Sequence, residues 1–135
     1  MKVPAGGTAM VTTKQVAQAA VGALEHGKHR ATYAISGINM KYKEFYKMIA
    51  ESLGQTDTTV ETASLDQLKP SAEKMDETVA AKGKEHAIHM GKQIEMQNRD
   101  AFIDPEETMS ALKYQEEDVR AEIRRTLAVC AKEVQ

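Results

Sequence analysis

The stretch GALEHGKHR, Gly22 to Arg30, nearly spells the phosphate-cradling pattern G-x-x-x-x-G-K-[ST]. Gly22, Gly27 and Lys28 are in place, and His29 stands where the hydroxyl belongs. The pattern works when a glycine-rich loop between a strand and a helix turns backbone N–H groups toward phosphates, while the final hydroxyl ligates magnesium. Here the preceding residues read VTTKQVAQAAVGALEHG. They put Val16, Ala20, Ala23 and Leu24 on one helical face, and Ala17 and Ala19 add helix propensity. Gly22 is then expected inside a helix and Gly27 at its left-handed stop, with Lys28, His29 and Arg30 at the negative end of the dipole. A phosphate loop needs the opposite order, and an imidazole does not replace the hydroxyl on magnesium. The stretch is therefore assigned to a helix end.

Two His-x-x-His pairs, His26 with His29 and His86 with His89, raise the question of a metal; the second pair follows Glu85 and precedes Met90. Spacing of three puts two imidazoles on one helical face. Zinc takes three or four ligands, however, and no Cys or carboxylate stands at a recognisable partner spacing, so solvent-facing histidines are expected and no metal is assigned. Met75, Met90, Met96 and Met109 suit a soft-metal surface or, better, gap-filling in an aromatic-poor core. Cys130 falls on the apolar face of the last helical segment and is expected to be a buried structural thiol. G-x-S-x-G, H-E-x-x-H, C-x-x-C and G-x-G-x-x-G are all missing, so no catalytic residue is assigned.

These residues must be carried by a chain of 135, the size of one domain, long enough to bury roughly two thirds of its unfolded surface. Its six aromatics, four Tyr and two Phe, leave Ala, Val, Leu, Ile and Met to fill the interior. A formal net charge of -2, with acids and bases interspersed, makes no single-sign field for nucleic acid or an anionic membrane, and neither partner is expected. The lone cysteine excludes an intrachain disulfide framework, and no apolar run approaches the roughly 20 residues of a membrane span. MKVPAGGTAM holds no apolar signal-peptide core, so a cytoplasmic protein is expected.

The elements follow from periodicity. TYAIS, residues 32 to 36, alternates like a strand and ends at Gly37. NMKYKEFYKMIAESLG places Tyr42, Phe45, Ile49 and Leu53 on one face, joined by Tyr46 and Met48, and predicts a helix from about Lys41 to Leu53 that stops at Gly54. TTVETA, Thr58 to Ala63, is β-branched enough for a second strand, expected beside the first across that helix. From Ser64 to Asn98, Leu65, Leu68, Ala72, Met75 and Val79 repeat at three and four. Pro70 and Gly83 argue for two or three short helices there. Asp104 as cap, Pro105 at the first position and Glu107 as the reciprocal arm open a short helix running to about Leu112. A final helix opens with Glu116, Glu117 and Asp118, carries Val119, Ile123, Leu127 and Cys130 on one face and has Lys132 near its end.

This order resembles the C-terminal half of the extended and atypical short-chain dehydrogenase/reductases, the NAD-dependent epimerase/dehydratase family. PAGGTAMVTTKQVAQAAVGALEHG and ATYAISGINMKYKEFYKMIAESLGQ are similar to a run in which a glycine-containing turn leads to V-x-V-x-D-V-A. A helix ending in A-L-x-x-G, a strand Y-x-I-x-G and a helix ending in I-A-x-x-x-G follow. Val11, Val16, Ala17, Ala23, Leu24, Gly27, Tyr33, Ile35, Gly37, Phe45, Ile49, Ala50 and Gly54 fall on those positions, and FIDPEETMSALKYQEEDVRAEIRRTL resembles the closing segment. Three departures stand out. Gln15, after Lys14, replaces the capping Asp, so Thr12 or Thr13 must cap. Lys113 replaces the Gly of L-G-Y, and Glu116 stands where Pro is common.

The resemblance implies an α-rich α/β fold, the C-terminal part of a Rossmann-type arrangement, with few short strands and several amphipathic helices in a single domain over residues 1–135. It implies NAD(P) for the full-length family and no cofactor in this chain. The glycine-rich pyrophosphate turn is absent, and Tyr33, Tyr42, Tyr46 and Tyr114 are followed four residues on by Gly37, Tyr46, Ala50 and Asp118 rather than Lys. The expected role is the substrate-binding portion of an oxidoreductase, beginning mid-fold and inactive in isolation. A small-molecule substrate would be held only together with the N-terminal half. By analogy of fold, Gly6, Gly7, Thr8 and Met10 are the pocket positions. Apolar faces and sheet edges left open imply self-association. The alternative is a free-standing helical interaction module that offers the Leu65–Val79 repeat to a partner, and a His/Met metal-binding protein stands third.

Overall fold

Two small sheets organise the chain. The computed structural model describes residues 1–81 and 89–133, so His86, Glu85 and Gly83 lie outside the described residues. β1 (Lys2–Pro4) and β2 (Gly7–Met10) are followed by α1 (Thr13–His26), β3 (Ile38–Lys41), α2 (Tyr42–Ser52) and β4 (Glu61–Ala63). α3 (Leu65–Ala81), α4 (Met90–Gln97), β5 (Asp100–Ala101), α5 (Glu106–Leu112) and α6 (Val119–Glu133) complete the order. β2 is central in a three-stranded sheet, antiparallel to β3 and parallel to β5, while β1 pairs in parallel with β4. The class is mixed α/β, rich in helix.

The first strand expected after α1 is displaced. Residues 32 to 36 form no ladder; the strand is Ile38–Lys41, in register with β2 from Gly7↔Lys41 to Met10↔Ile38. A strand forms where backbone groups find a ladder, and β2 offers one only beyond Gly37. Residues 33 to 36 meet the protein differently: Tyr33 and Ile35 pack on the cluster of Ala19, Leu112 and Tyr114, and Ser36 is held by the Tyr114 hydroxyl. The second strand is found, shortened to Glu61–Ala63, but it joins β1 rather than the strand before α2.

α2 follows the expected pattern most closely. Met48 and Ala50 are buried, Tyr42, Phe45, Tyr46 and Ile49 half-buried, and Phe45 meets Tyr46 edge-on at 5.9 Å. Gly54, at φ +74°, ends the helix, with its N–H on Glu51 O and that of Gln55 on Ala50 O. This double closure needs a left-handed residue, and glycine supplies it without steric cost. Leu53 lies beyond the last turn and is exposed.

Pro70 does not divide the next segment: α3 runs unbroken through it. Proline deprives one carbonyl of its partner, and the ring sits exposed in the second turn, where the helix tolerates it. Ala72 is buried and Leu65, Leu68 and Val79 are half-buried, but Met75 turns outward and Asp76 shares the inner face, accepting from Gly91 N at 3.0 Å where α4 packs on α3. Asp104 Oδ1 accepts from Glu106 N at the start of α5, and Asp118 Oδ1 from Ala121 N at the start of α6. On α6, Val119 is buried and Ile123 and Leu127 are half-buried; Cys130 is exposed, contrary to the expectation of a buried structural thiol.

Candidate functional site

The near-motif Gly22 to Arg30 sits at the end of α1, after no strand. Gly22 is buried against α5: a Cβ there would lie 1.7 Å from Leu112 O. Its role is close approach of two backbones rather than phosphate contact. Gly27 ends the helix in extended rather than left-handed geometry (φ -67°, ψ 146°), its N–H bonded to Ala23 O. Lys28 N donates to the Tyr33 hydroxyl at 2.8 Å, and His29 and Arg30 are exposed. No group of three or more His, Cys, Asp or Glu gathers to hold a metal among the described residues, and His26, His29 and His89 all face solvent. Of the methionines, Met109 packs on the Ala19 cluster as gap-filling requires, whereas Met75 and Met96 are exposed.

The start of α1 is held by several hydrogen bonds at once. Thr12 Oγ1 accepts from Gln15 N at 3.0 Å, and Gln15 Oε1 accepts from Thr12 N at 3.1 Å, a complete capping box. The buried Gln15 amide also donates to Gln115 O at 3.2 Å, so the box ties α1 to the segment before α6. The T-x-x-Q spacing of Thr12-Thr13-Lys14-Gln15 announces this box in the sequence, where Gln15 reads at first only as a lost cap. Gly37 completes the junction: its N–H donates to Met10 O at 2.8 Å, and a Cβ there would stand 2.4 Å from Gln15 Oε1.

Beside that junction lies an open hollow of about 260 Å³, floored by Val11, Phe45, Val119 and Ile123 and edged by Thr13 and Arg125. Its charged lining is one ion pair, Glu122 with Arg125, and two further pairs lie outside that lining. Lys14 pairs with Glu117, whose other oxygen accepts from Thr12 Oγ1 at 3.4 Å, and the Glu117 carboxylate raises the Lys14 pKa by hydrogen bond and charge. Arg125 pairs with Glu122 at 2.7 Å and Arg120 with Glu44 at 2.8 Å, and each carboxylate raises its guanidinium's pKa in the same way. Apolar floor and paired rim together suit a neutral or zwitterionic small molecule better than a bare ion, since the rim charges are already balanced.

The analogy-derived positions fall elsewhere, in the three-stranded sheet. A Cβ on Gly6 would stand 2.1 Å from Arg99 O, and one on Gly7 2.6 Å from Met40 O and 2.7 Å from the Phe102 ring. Both glycines therefore serve backbone approach. Thr8 and Met10 are half-buried in β2, opposite Met40 and Ile38, and Lys41 spans the same sheet, bound to both Asp100 oxygens at 2.6 and 2.7 Å and lying 5.3 Å from the Phe102 ring centre. The structure thus places Gly7, Thr8 and Met10 in one strand with Gly6 just before it, and none of the four lines the hollow.

No family model, curated protein or solved structure matches this chain.

A second surface is unlike the rest. The buried face of α1 runs through Gln15, Ala19 and Gly22, not through the apolar stripe that periodicity singles out. Val16 (43% exposed), Val21 (54%) and Leu24 (89%), with Ala17, Ala20 and Ala23 between them, form an apolar face open to solvent. Six apolar side chains on one side of a 14-residue helix exceed the scattered exposure normal for a surface. No helix among the described residues is long and apolar enough to cross a membrane.

Proposed function

We propose that the chain is the substrate-binding portion of an NAD(P)-dependent epimerase/dehydratase-like oxidoreductase, inactive by itself. The observation that carries this is the bare apolar face of α1, followed by residues 32 to 36 with no ladder of their own. A helix and a strand-like segment finished in this way suit a chain whose neighbouring parallel sheet is supplied by another part of the protein.

Two details support the same reading. Lys113, standing where the family pattern has Gly, takes the left-handed conformation (φ +58°) that favours glycine. The capping box of Thr12 and Gln15 takes over the work of the absent Asp at the start of the helix. In this role Gly6, Gly7, Thr8 and Met10 contribute one wall of a small-molecule pocket whose other wall, with the nicotinamide cofactor and the proton-transfer tyrosine, lies on the cofactor-side half. The free-standing interaction module draws on the same face of α1. Its original docking stripe on α3 is partly covered, since Leu65, Leu68 and Val79 are half-buried and α4 packs on that helix.

The test is calorimetric titration of the purified chain with NAD and NADP, together with reading of the transcript and DNA upstream of the Met1 codon in all three frames. Expected are no cofactor binding at micromolar concentrations, and an upstream glycine-rich strand-turn-helix with a Tyr-x-x-x-Lys pair. Micromolar cofactor binding by this chain, or upstream DNA without those signatures, overturns the proposal in favour of the module.

A further inference from the structure

We propose that two copies of this chain cover the apolar face of α1 for each other, through an antiparallel pairing of the two helices about a two-fold axis at Ala20. The residues of the face match themselves when reversed. About an axis at Ala20, Val16 of one copy falls opposite Leu24 of the other, Ala17 opposite Ala23, and Ala20 opposite its own copy. The bulky exposed residues thus meet at the two ends of the pairing and the small ones at its centre, where Cβ-only side chains let backbones approach closely. A hollow of about 380 Å³ beside Ala17 and Val21, between α1 and the end of α5, leaves that edge of the face uncovered.

Charge follows the same symmetry. Lys14 and Glu25 stand 11 residues apart, roughly 16 Å along the axis, and within about 20° of each other around it. They flank one side of the apolar face. Antiparallel pairing brings like flanks together, so each Lys14 comes level with Glu25 of the other copy, and two opposite-charge contacts form. Parallel pairing would place these flanks on opposite sides of the helix pair and form neither contact. Both side chains are reachable: Lys14 is still largely exposed while bound to Glu117, and Glu25, 3.6 Å from His26, is exposed as well.

A symmetric interface of this kind is isologous and closes at two copies. One helix pair covers less than the ~800 Å² per partner of a standard stable interface, so a weak, concentration-dependent association is expected. The pairing does not depend on the oxidoreductase reading. Under that reading, a cofactor-side half would compete for the same face.

Sedimentation velocity of the full chain, from low micromolar to several hundred micromolar, tests the proposal, with far-UV circular dichroism confirming that each variant is folded. A monomer–dimer shift is expected for the natural sequence. It should be lost in Ala20→Arg, weakened several-fold in Lys14→Glu and in Glu25→Lys, and restored in the double variant Lys14→Glu/Glu25→Lys. In a Cys130→Ser background, Ala20→Cys should cross-link on mild oxidation much faster than Lys74→Cys, on exposed α3. A chain monomeric at every concentration overturns the proposal. So does a dimer indifferent to Ala20→Arg, open-ended oligomers in place of a dimer, or cross-linking at residue 20 no faster than at residue 74.

Discussion

Gly22→Ala reverses an ordinary expectation, and its sign reports on the packing of α1 against α5. In an exposed helix interior the change stabilises by about 1 kcal/mol, because alanine has the better propensity. At Gly22 the new Cβ would stand 1.7 Å from Leu112 O and 2.7 Å from its carbonyl carbon, both backbone atoms that no rotamer change can move. Real Cβ contacts lie beyond 3.0 Å, so α1 and α5 must part by more than an ångström. The seam that opens is the cluster of Ala19, Leu112 and Tyr114, all but fully buried. Overpacking of this kind costs about 1–3 kcal/mol, and loosening contacts around a buried Leu adds part of a cavity penalty. With a total cost of about 3 kcal/mol, the net loss is about 2 kcal/mol, or roughly 8 °C in melting temperature for a domain of this size. The assay is thermal unfolding followed by circular dichroism at one low protein concentration, so that association is held fixed. Ala23→Gly on the open face serves as control and should lose only about 1 kcal/mol. A Gly22→Ala protein more stable than its parent would refute the close approach of α1 and α5.

Four further outcomes are expected. Tyr114→Phe strips Ser36 of the hydroxyl that accepts from its N–H at 3.4 Å and donates to its C=O at 2.9 Å, and should cost about 1–3 kcal/mol in a denaturant titration. Ser36→Ala, by contrast, removes a buried hydroxyl that has no partner and should be neutral or stabilising; a loss as large as that of Tyr114→Phe would show that the hydroxyl is bonded after all. Lys113→Gly relieves a left-handed backbone at φ +58° and should raise stability by about 1 kcal/mol in the same titration. Because Glu117 raises the Lys14 pKa above the ordinary 10.5, the pair's contribution is complete below that pH and is lost as pH rises through the higher folded value. The stability difference between the natural chain and Lys14→Gln should therefore hold steady through neutral pH and shrink only in strong alkali.

How much of this was legible in the sequence varies with the kind of signal. α2 was readable almost to its ends because its signals agree: aromatic and aliphatic residues recur at helical spacing, and Gly54 stops the helix in the conformation glycine favours. The starts of α5 and α6 were readable only in part: Asp104 accepts from Glu106 N, but Pro105 is the cap residue and has no side-chain cap bond, and α6 begins at Val119, after the Glu116, Glu117 and Asp118 expected to open it. The strand at 32 to 36 was not, because alternation describes a segment able to join a sheet, whereas a ladder depends on which strand lies beside it, and β2 lies beside Ile38–Lys41. Pro70 misled because its disruption is local and falls early in α3, where a long amphipathic helix absorbs it. Of the site, the capping box was written in T-x-x-Q, but the hollow between Val11, Phe45 and Val119 joins residues over a hundred positions apart and leaves no local trace.

α1 shows why periodicity finds a face without saying what covers it. The stripe Val16, Ala20, Ala23 and Leu24 is the most apolar side of the helix, and a hydrophobic pattern reports the side that gains most from leaving water. The side that is buried here, Gln15, Ala19 and Gly22, is small and partly polar, and owes its burial to geometry: a glycine that lets α5 approach, an alanine beneath Leu112, and an amide whose hydrogen bonds are met by Thr12 and Gln115. The two sides answer to different forces, and only one of them registers as hydrophobicity. An apolar stripe therefore says that a face is suited to cover, and steric fit decides which face is covered within the chain. α1 meets the two conditions on different sides, so its steric fit is spent within the chain while its apolar stripe stays open to solvent.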